Sequence, residues 1–330
     1  MQDIHNYKAK LESRIRRIEK IPSIEDKTLL LKFRDYCLCD GINFGKIDVY
    51  LFFLMKFREM LGKPIIQANR EDIVRVLGDL NSLEWKEYTK NGFKIAVRKF
   101  YQIIYDMHNT GEFPDVVKRI KLNLKINKMI LPEDLLTLEE QKLLIDSCYN
   151  PRNRAFMSVL CESGARIGEI ATMKIKHVCF DNYRGIPIAR LNLNGKTGPR
   201  RILVTRCVKE LQNWMTKHPS KNCPEHYLWS GEKLFSYTHF ANIINHAVFI
   251  AGLTKRVYPH LFRHTRATEL AYFMSDSELC EYMGWIPGSK MPRIYVHLSG
   301  KRLDDTIFRA SGIFVQQDNF YKLNFPISNV

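Results

Sequence analysis

The sequence predicts a mainly α-helical chain with one small antiparallel β-sheet, and three observations lead there. Apolar residues recur at helical spacing through most of the first 125 positions and again between 137 and 283. Ile188–Leu193 and Arg201–Val204 alternate as half-buried strands do, on either side of Asn194-Gly195, a dipeptide favoured in hairpin turns. Thr137 precedes Glu140 by three residues, the capping box that opens a helix, just after a basic and aperiodic stretch that reads as a linker. The expected organisation is a helical domain over 1–125, a linker over 126–136, a mixed domain over 137–310 and a tail over 311–330.

Within the first domain, Lys8–Ile21 is amphipathic, Leu29–Cys39 repeats the pattern and Val49–Leu61 is more apolar. Gly41, Gly45 and Gly62-Lys-Pro64 punctuate these segments. Arg70–Leu80 follows, then Trp85–Met107, which sets Phe93, Val97, Phe100 and Ile104 on one side and Lys90, Lys94 and Arg98 on another. A stripe of that kind fits a solvated face as well as a helix laid against DNA phosphates. In the second domain Arg154–Cys161 and Gly168–Met173 read as helices before the strands. Val208–Lys217, Tyr237–Ala251, His260–Phe273 and Ser275–Met283 follow them, and Asp304–Ala310 is the last helical stretch.

Composition narrows the function classes. Hydrophobic residues make up 45% of the 330 positions and aromatics 12%, which supports packed cores and excludes a disordered chain. Lys and Arg outnumber Asp and Glu by 51 to 35, a net charge of +16 that points to a polyanion, with nucleic acid the usual one. Both halves share the excess, +6 before residue 137 and +10 from it onward. The eight cysteines form no CxxC pair, so they read as reduced, mostly buried thiols, and no metal or other cofactor is expected. The N-terminal residues lack a secretory pattern, and the densest apolar run, Val49–Met55, is too short to span a bilayer. An intracellular protein without membrane association is expected.

Candidate chemistry gathers in Pro259-His260-Leu-Phe-Arg263-His264-Thr-Arg266. His260 and Arg263, three residues apart, share a helix face. Arginine binds phosphate through a planar fork, and histidine can donate to a phosphate oxygen or move a proton. Tyr295, downstream in Arg-Ile-Tyr-Val-His-Leu-Ser, could attack such a phosphate. The set suggests phosphoryl transfer without a metal ion.

With these pieces in order, the chain resembles the tyrosine recombinase (phage integrase) family over roughly residues 137–300, while its N-terminal part is similar only in type, as a helical core-binding domain. Ser163-Gly-Ala-Arg166-Ile-Gly-Glu169 resembles the family's first arginine motif, which makes Arg166 a catalytic arginine. Lys196, in the expected hairpin, stands where the family keeps its catalytic lysine, with Arg200 and Arg201 as neighbours and rivals. His260-x-x-Arg263-His264 resembles the family's His-x-x-Arg-His box, and Trp285 stands where members carry histidine or tryptophan. Tyr295 lies where the nucleophile belongs, whereas Tyr282 reads as core and Tyr258 directly precedes the box.

The resemblance implies a C-shaped, two-domain clamp on double-stranded DNA bearing specific attachment sites. It implies a 3′-phosphotyrosine intermediate and four protomers acting through a Holliday junction. Arg166 and Arg263 would hold the phosphate, Lys196 would protonate the leaving oxygen, and His260 would assist proton movement or hold the phosphate. Glu169 would orient Arg166, and His264 would play a structural part. Lys90, Lys94, Arg98, Arg200 and Arg201 are the candidate DNA contacts. The run after Tyr295 and the extended tail are most similar to integrases of archaeal mobile elements and viruses, and the tail would either dock on a neighbouring protomer or pack on its own. A chromosome-dimer resolvase, a type IB topoisomerase and a catalytically silent DNA-binding protein on the same scaffold are the alternatives.

Overall fold

Helix caps set most of the element boundaries. The computed structural model describes residues 3–108, 110–122, 131–195, 197–298 and 311. The chain divides into two compact units, one of His5–Met129, the other of Met1–Ile4 with Ile130–Val330. The first contains α1 (Tyr7–Glu19), α2 (Ile24–Cys39), α3 (Phe44–Leu61), α4 (Arg70–Ser82) and α5 (Glu87–Ile104). Two of these helices begin earlier than their apolar pattern suggests, because side-chain caps start them. Ser23 accepts the amide of Asp26 before α2, and Asn43 accepts that of Lys46 before α3. Gly45 therefore lies in the first turn of α3 and not between segments. A Cβ there would come within 2.6 Å of the Tyr7 ring, so the glycine lets α1 and α3 approach closely. Phe33, Phe57, Phe93, Phe100 and Tyr101 fill the core between the helices.

The basic stripe of α5 does not act as one surface. At 100° per residue, Lys90 lies one turn before Phe93 and two before Val97, and so flanks the buried face. It is 8% exposed, and its ammonium donates to Asn81 O (2.9 Å), a carbonyl in the last turn of α4, with Glu87 at 3.6 Å. A lysine on the unpaired carbonyls of a helix C-terminus is committed to the fold. Arg98 sets its guanidinium over the Phe113 ring (3.8 Å), and burial lowers its pKa. Lys94 is half-exposed. The expectation that Lys90 faces DNA is thus corrected, and that of Arg98 is weakened by its ring contact.

The second unit is built on α6 (Leu138–Asp146), α7 (Pro151–Ser163), α8 (Ile167–Ala171), α9 (Val208–Lys217), α10 (Tyr237–Ile250), α11 (Pro259–Ala271), α12 (Asp276–Met283) and α13 (Met291–Leu298). Beside them lies an antiparallel sheet in the order β1 (Val178–Tyr183), β2 (Ile186–Gly195), β3 (Gly198–Val204). The Thr137 capping box forms as expected, with both reciprocal bonds in place. Every residue of α7 from Ala155 to Ser163 is buried, as a helix of small and apolar residues must be when other elements surround it. The unit also begins before residue 137. Leu136 is buried with its amide on Thr265 Oγ1 (3.1 Å), and Ile4, expected in the first domain, accepts the Tyr237 amide (2.8 Å).

The sheet differs from expectation in two respects. Strand β1 is an edge strand with mostly exposed residues, so it lacks the alternation that reveals a strand. Its turn into β2 uses Arg184 and Gly185 with φ of +52° and +83°, a hairpin of the primed type. At the second hairpin, Asn194 and Gly195 still belong to β2, and Gly195 pairs with Gly198. The Asn-Gly signal therefore marks the strand end and not the turn itself. Helix α13 was not anticipated. Lys196, the stretch Asp304–Ala310, the tail beyond Ser311 and linker residues 126–130 lie outside the described residues.

All eight cysteines are free thiols, five of them buried. Among the described residues no helix is long and apolar enough to cross a membrane, and no cluster of metal-ligating side chains occurs.

One buried carboxylate ties the sheet to the central helix. Glu162 on α7, 3% exposed, accepts the amides of Thr205 (2.7 Å), Arg206 (3.0 Å) and Cys207 (2.8 Å) where β3 turns into α9. Burial alone would raise its pKa, but these bonds bring it below the ordinary carboxylate value. Glu162→Ala should orphan three amides and destabilise this unit by about 2–4 kcal/mol, lowering the melting temperature by roughly 5–10 °C in calorimetry.

Candidate active site

Helix α12 ends at Gly284, whose φ of +62° stops it and leaves the last carbonyls without helical partners. Three guanidinium groups from three different elements fill that gap. Arg200 on β3 donates Nε–H to Tyr282 O (2.9 Å), and Arg263 on α11 donates to Met283 O (2.5 Å). Arg166, the residue that starts α8, donates to Gly284 O (3.1 Å). Thr197 places its hydroxyl on the same Gly284 O (3.0 Å), which fastens the β2–β3 hairpin to this helix end. The negative end of the helix dipole favours all three cations.

Glu169 links two of these arginines. Its carboxylate is fully buried and accepts a fork–fork pair from Arg200, Nη1 to Oε1 at 2.8 Å and Nη2 to Oε2 at 2.9 Å. It also accepts Nη1 of Arg166 (2.8 Å) and the Arg166 amide (2.9 Å). Burial pushes its pKa up, but the bonds and charges of Arg200 and Arg166 outweigh this and hold it below the ordinary range. Three guanidinium groups therefore face one carboxylate. Arg263 is 4% exposed, bonded also to Gly164 O (3.2 Å), and burial together with the charge of Arg166 pushes its pKa down to about 10. It stays charged across the physiological range.

Aromatic rings join this cationic cluster to Tyr295. Trp285 lies face to face with the Tyr295 ring (centroids 5.3 Å apart, planes within 10°), and the Arg263 guanidinium stands 5.4 Å from the indole. Tyr295, on α13, is 2% exposed, and burial raises its pKa while Arg263 opposes the rise. Its hydroxyl lies 2.8 Å from Nδ1 of His264. Burial, then His260 and Arg263, push His264 down to about 4, so its imidazole is neutral near pH 7. His260 is exposed at the start of α11, its ring 6.1 Å from that of His264. Partial desolvation lowers its pKa, and the like charges of Arg263 and Arg166 act the same way.

The structure thus brings Arg166, Glu169, His260, Arg263, His264, Trp285 and Tyr295 together, as the sequence suggested. Lys196 lies outside the described residues; its neighbours Gly195 and Thr197 belong to the hairpin fastened to Glu169 through Arg200 and to Gly284 through Thr197. Two candidates separate by strand alternation. Arg201 points outward, exposed, with Nε on Asn192 Oδ1 (3.0 Å), while the side chain of Arg200 is only 9% exposed inside the site. Arg200 is therefore corrected from a DNA contact to part of the internal scaffold. Tyr282 places its hydroxyl toward Glu162 O (3.4 Å), and Tyr258 is the N-cap residue that precedes α11. Sequence reasoning missed the three carbonyls and the His264–Tyr295 bond. Gly284 after a capped helix was the available signal for the first; nothing in the sequence signalled the second.

Chemically the cluster suits a phosphate-like anion. Arg166 and Arg263 each use two of five N–H donors on the described backbone and carboxylate acceptors, which leaves donors for a ligand. A phenol, a neutral imidazole and an exposed imidazole lie alongside.

The model of the phage integrase family matches residues 134–302. A tyrosine recombinase of Pseudothermotoga lettingae is 32% identical over 235 residues, 68% of this chain and 75% of that protein. Tyrosine recombinase XerA of Pyrococcus furiosus is 26% identical over 301 residues, covering 87% and 97% of the two chains. Among solved structures, the XerH site-specific recombinase in a post-cleavage complex with palindromic difH substrate aligns with a TM-score of 0.63 at 18% identity, over 94% of this chain and 98% of that one. A lambda integrase tetramer bound to a Holliday junction aligns at 0.60 and 14% identity, over 83% and 81%. At those identities the structural likeness speaks for the fold alone.

Close approach makes Gly195 a test of the site's packing. A Cβ there would lie 2.1 Å from Glu169 Oε1. Replacing a strand glycine by alanine ordinarily stabilises by roughly 0.5–1 kcal/mol. Gly195→Ala should instead destabilise by about 1–3 kcal/mol, read as a lower denaturant midpoint.

Proposed function

Because the chain belongs to the phage integrase family, we infer that it is a site-specific DNA recombinase that breaks and rejoins DNA through Tyr295. The observation that carries this reading is the shared Trp285 contact that sets the Tyr295 ring beside Arg263, within the cluster that also holds Arg166. A phosphodiester is anionic and resists attack until its developing charge is met by fixed donors. Arg166 and Arg263 hold the two non-bridging oxygens. Tyr295 Oη attacks phosphorus in line, the P–O5′ bond breaks, and the phosphoryl group stays on the tyrosine as a 3′-phosphotyrosine. The 5′-oxygen is a poor leaving group, and Lys196 on the hairpin protonates it. Trp285 packs and can donate one hydrogen bond, but it carries no proton for exchange. Rejoining runs the same steps backward from a 5′-hydroxyl of the partner strand.

Each of the two units is rich in basic residues and contacts duplex DNA, and four protomers act on two sites through a Holliday junction. The lambda integrase tetramer on such a junction supports this assembly. Acting on DNA places the protein in the compartment that holds it. The setting we propose is the integrase of an archaeal mobile element, on the strength of the run after Tyr295 and the relative in Pyrococcus furiosus. A resolvase acting on chromosome dimers is the second reading, favoured by the many relatives named XerC and XerD. Recombination assays on two unlike attachment sites, set against two identical ones, separate the two.

Two chemical tests address the roles. Tyr295→Phe should bind DNA as the parent does yet form no covalent adduct on a nicked suicide substrate, with or without EDTA; an adduct in gel analysis would place the nucleophile elsewhere. Lys196→Ala should slow cleavage by about 10²–10³-fold, and a substrate with sulfur at the 5′-bridging position should restore most of it, because a thiolate leaves without a proton.

A further inference from the structure

Attack by Tyr295 requires a group that takes the phenol proton, and His260 and His264 are the two imidazoles of the site. The geometry points instead to His264: we propose that His264 is a catalytic residue, the general base that accepts the Tyr295 proton as Oη bonds to phosphorus. This rests on Tyr295 being the nucleophile.

His264 Nδ1 lies 2.8 Å from Tyr295 Oη, within reach of direct transfer, and the two rings stack at 5.8 Å and 28°. The next residue along the chain on each side fixes this placement. Arg263 is anchored to Gly164 O and Met283 O, and Thr265 accepts the Leu136 amide through its hydroxyl. Thr268 donates its hydroxyl to the His264 carbonyl (3.0 Å). The ring therefore sits on a helix pinned on three sides. His260, one turn earlier, presents its ring 6.1 Å from that of His264 and stands exposed. The hydrogen bond to the phenol is made by His264.

A base must be unprotonated, and the surroundings arrange this: burial, His260 and Arg263 keep His264 neutral near pH 7. The titratable and charged groups around the pair are His260 and Arg263 on α11 and Tyr258 at its start. In balance, the Oη–P bond forms, the P–O5′ bond breaks, the phenol proton moves to His264 Nδ1, and the 5′-oxygen receives its proton from Lys196. On rejoining, the imidazolium returns the proton to Tyr295 Oη as the P–Oη bond breaks.

The test uses the full chain on nicked suicide substrates. Asparagine at 264 sets an amide oxygen or nitrogen near the Nδ1 position, so it can keep the hydrogen bond but cannot take a proton. His264→Asn and His264→Ala should both slow adduct formation by about 10²-fold at pH 7. In both, the rate should climb with pH, about tenfold per unit below the tyrosine pKa, a steepness absent from the parent. The 5′-sulfur substrate should not restore either variant, because the defect lies at the nucleophile and not at the leaving group. Near-parental cleavage by His264→Asn would overturn the proposal and leave His264 a positioning residue only. Restoration by the sulfur substrate would overturn it equally. Unchanged melting curves and DNA affinity guard against misfolding, with His264→Gln as the replacement for a variant that fails them. A persisting adduct in Tyr295→Phe would instead remove the underlying reading.

Discussion

The end of α12 is the constraint on which the site depends. A helix C-terminus leaves carbonyls unpaired, and a buried guanidinium without partners costs several kcal/mol. Each problem solves the other here: Tyr282, Met283 and Gly284 offer successive carbonyls, and Arg200, Arg263 and Arg166 occupy them in turn. The consequence is electrostatic as well as steric. Carbonyl dipoles hold a cation without cancelling its charge, whereas a carboxylate would cancel it. With only Glu169 among the three arginines, two positive charges remain uncompensated, so the site is set for an anion before one arrives.

That arrangement explains why small residues stand where they do. Arg200 reaches Tyr282 O by passing over Gly284, where a Cβ would lie 2.7 Å from Nη1, and the positive φ there is equally hostile to a side chain. Gly195 lets the hairpin close against Glu169, and Gly164 ends α7 beneath Arg266 with its carbonyl turned to Arg263. The glycines belong to the cation cluster as much as the arginines do, because side chains at these points would separate the donors from their acceptors. Thr197 and Arg200 fasten the hairpin to the same helix end that Arg166 occupies.

Much of this was legible because it is local. Capping boxes, helical periodicity and the order of the arginine, histidine and tyrosine motifs each lie within a few residues of sequence, and α6, α9, α11 and α12 fell close to where those signals put them. The failures share a cause, which is that the deciding interaction spans the fold. Lys90 looked solvent-facing until Asn81 O claimed its ammonium, and Arg200 looked like a DNA contact until strand alternation turned it inward onto Glu169. Edge strand β1 escaped notice for want of a buried face. The Asn-Gly pair misplaced a turn because Gly195 is required for close approach and not for a positive φ.

His264 shows how far position in a motif can mislead. By sequence it trails the His-x-x-Arg pair and reads as support, yet the helix carries it round to face α13, while His260 one turn earlier remains at the surface. A 100° step per residue puts Arg263 and His264 on adjoining faces of α11. One face meets the carbonyls of α12; the next meets the phenol. The same helix can therefore hold the charge of a phosphate and the proton of its attacker at once. Fixed carbonyl dipoles hold Arg263 as a cation although burial lowers its pKa, and the loss of water keeps His264 neutral. Opposite protonation states from one desolvated stretch of helix are what an acid–base pair of tasks at one phosphorus requires.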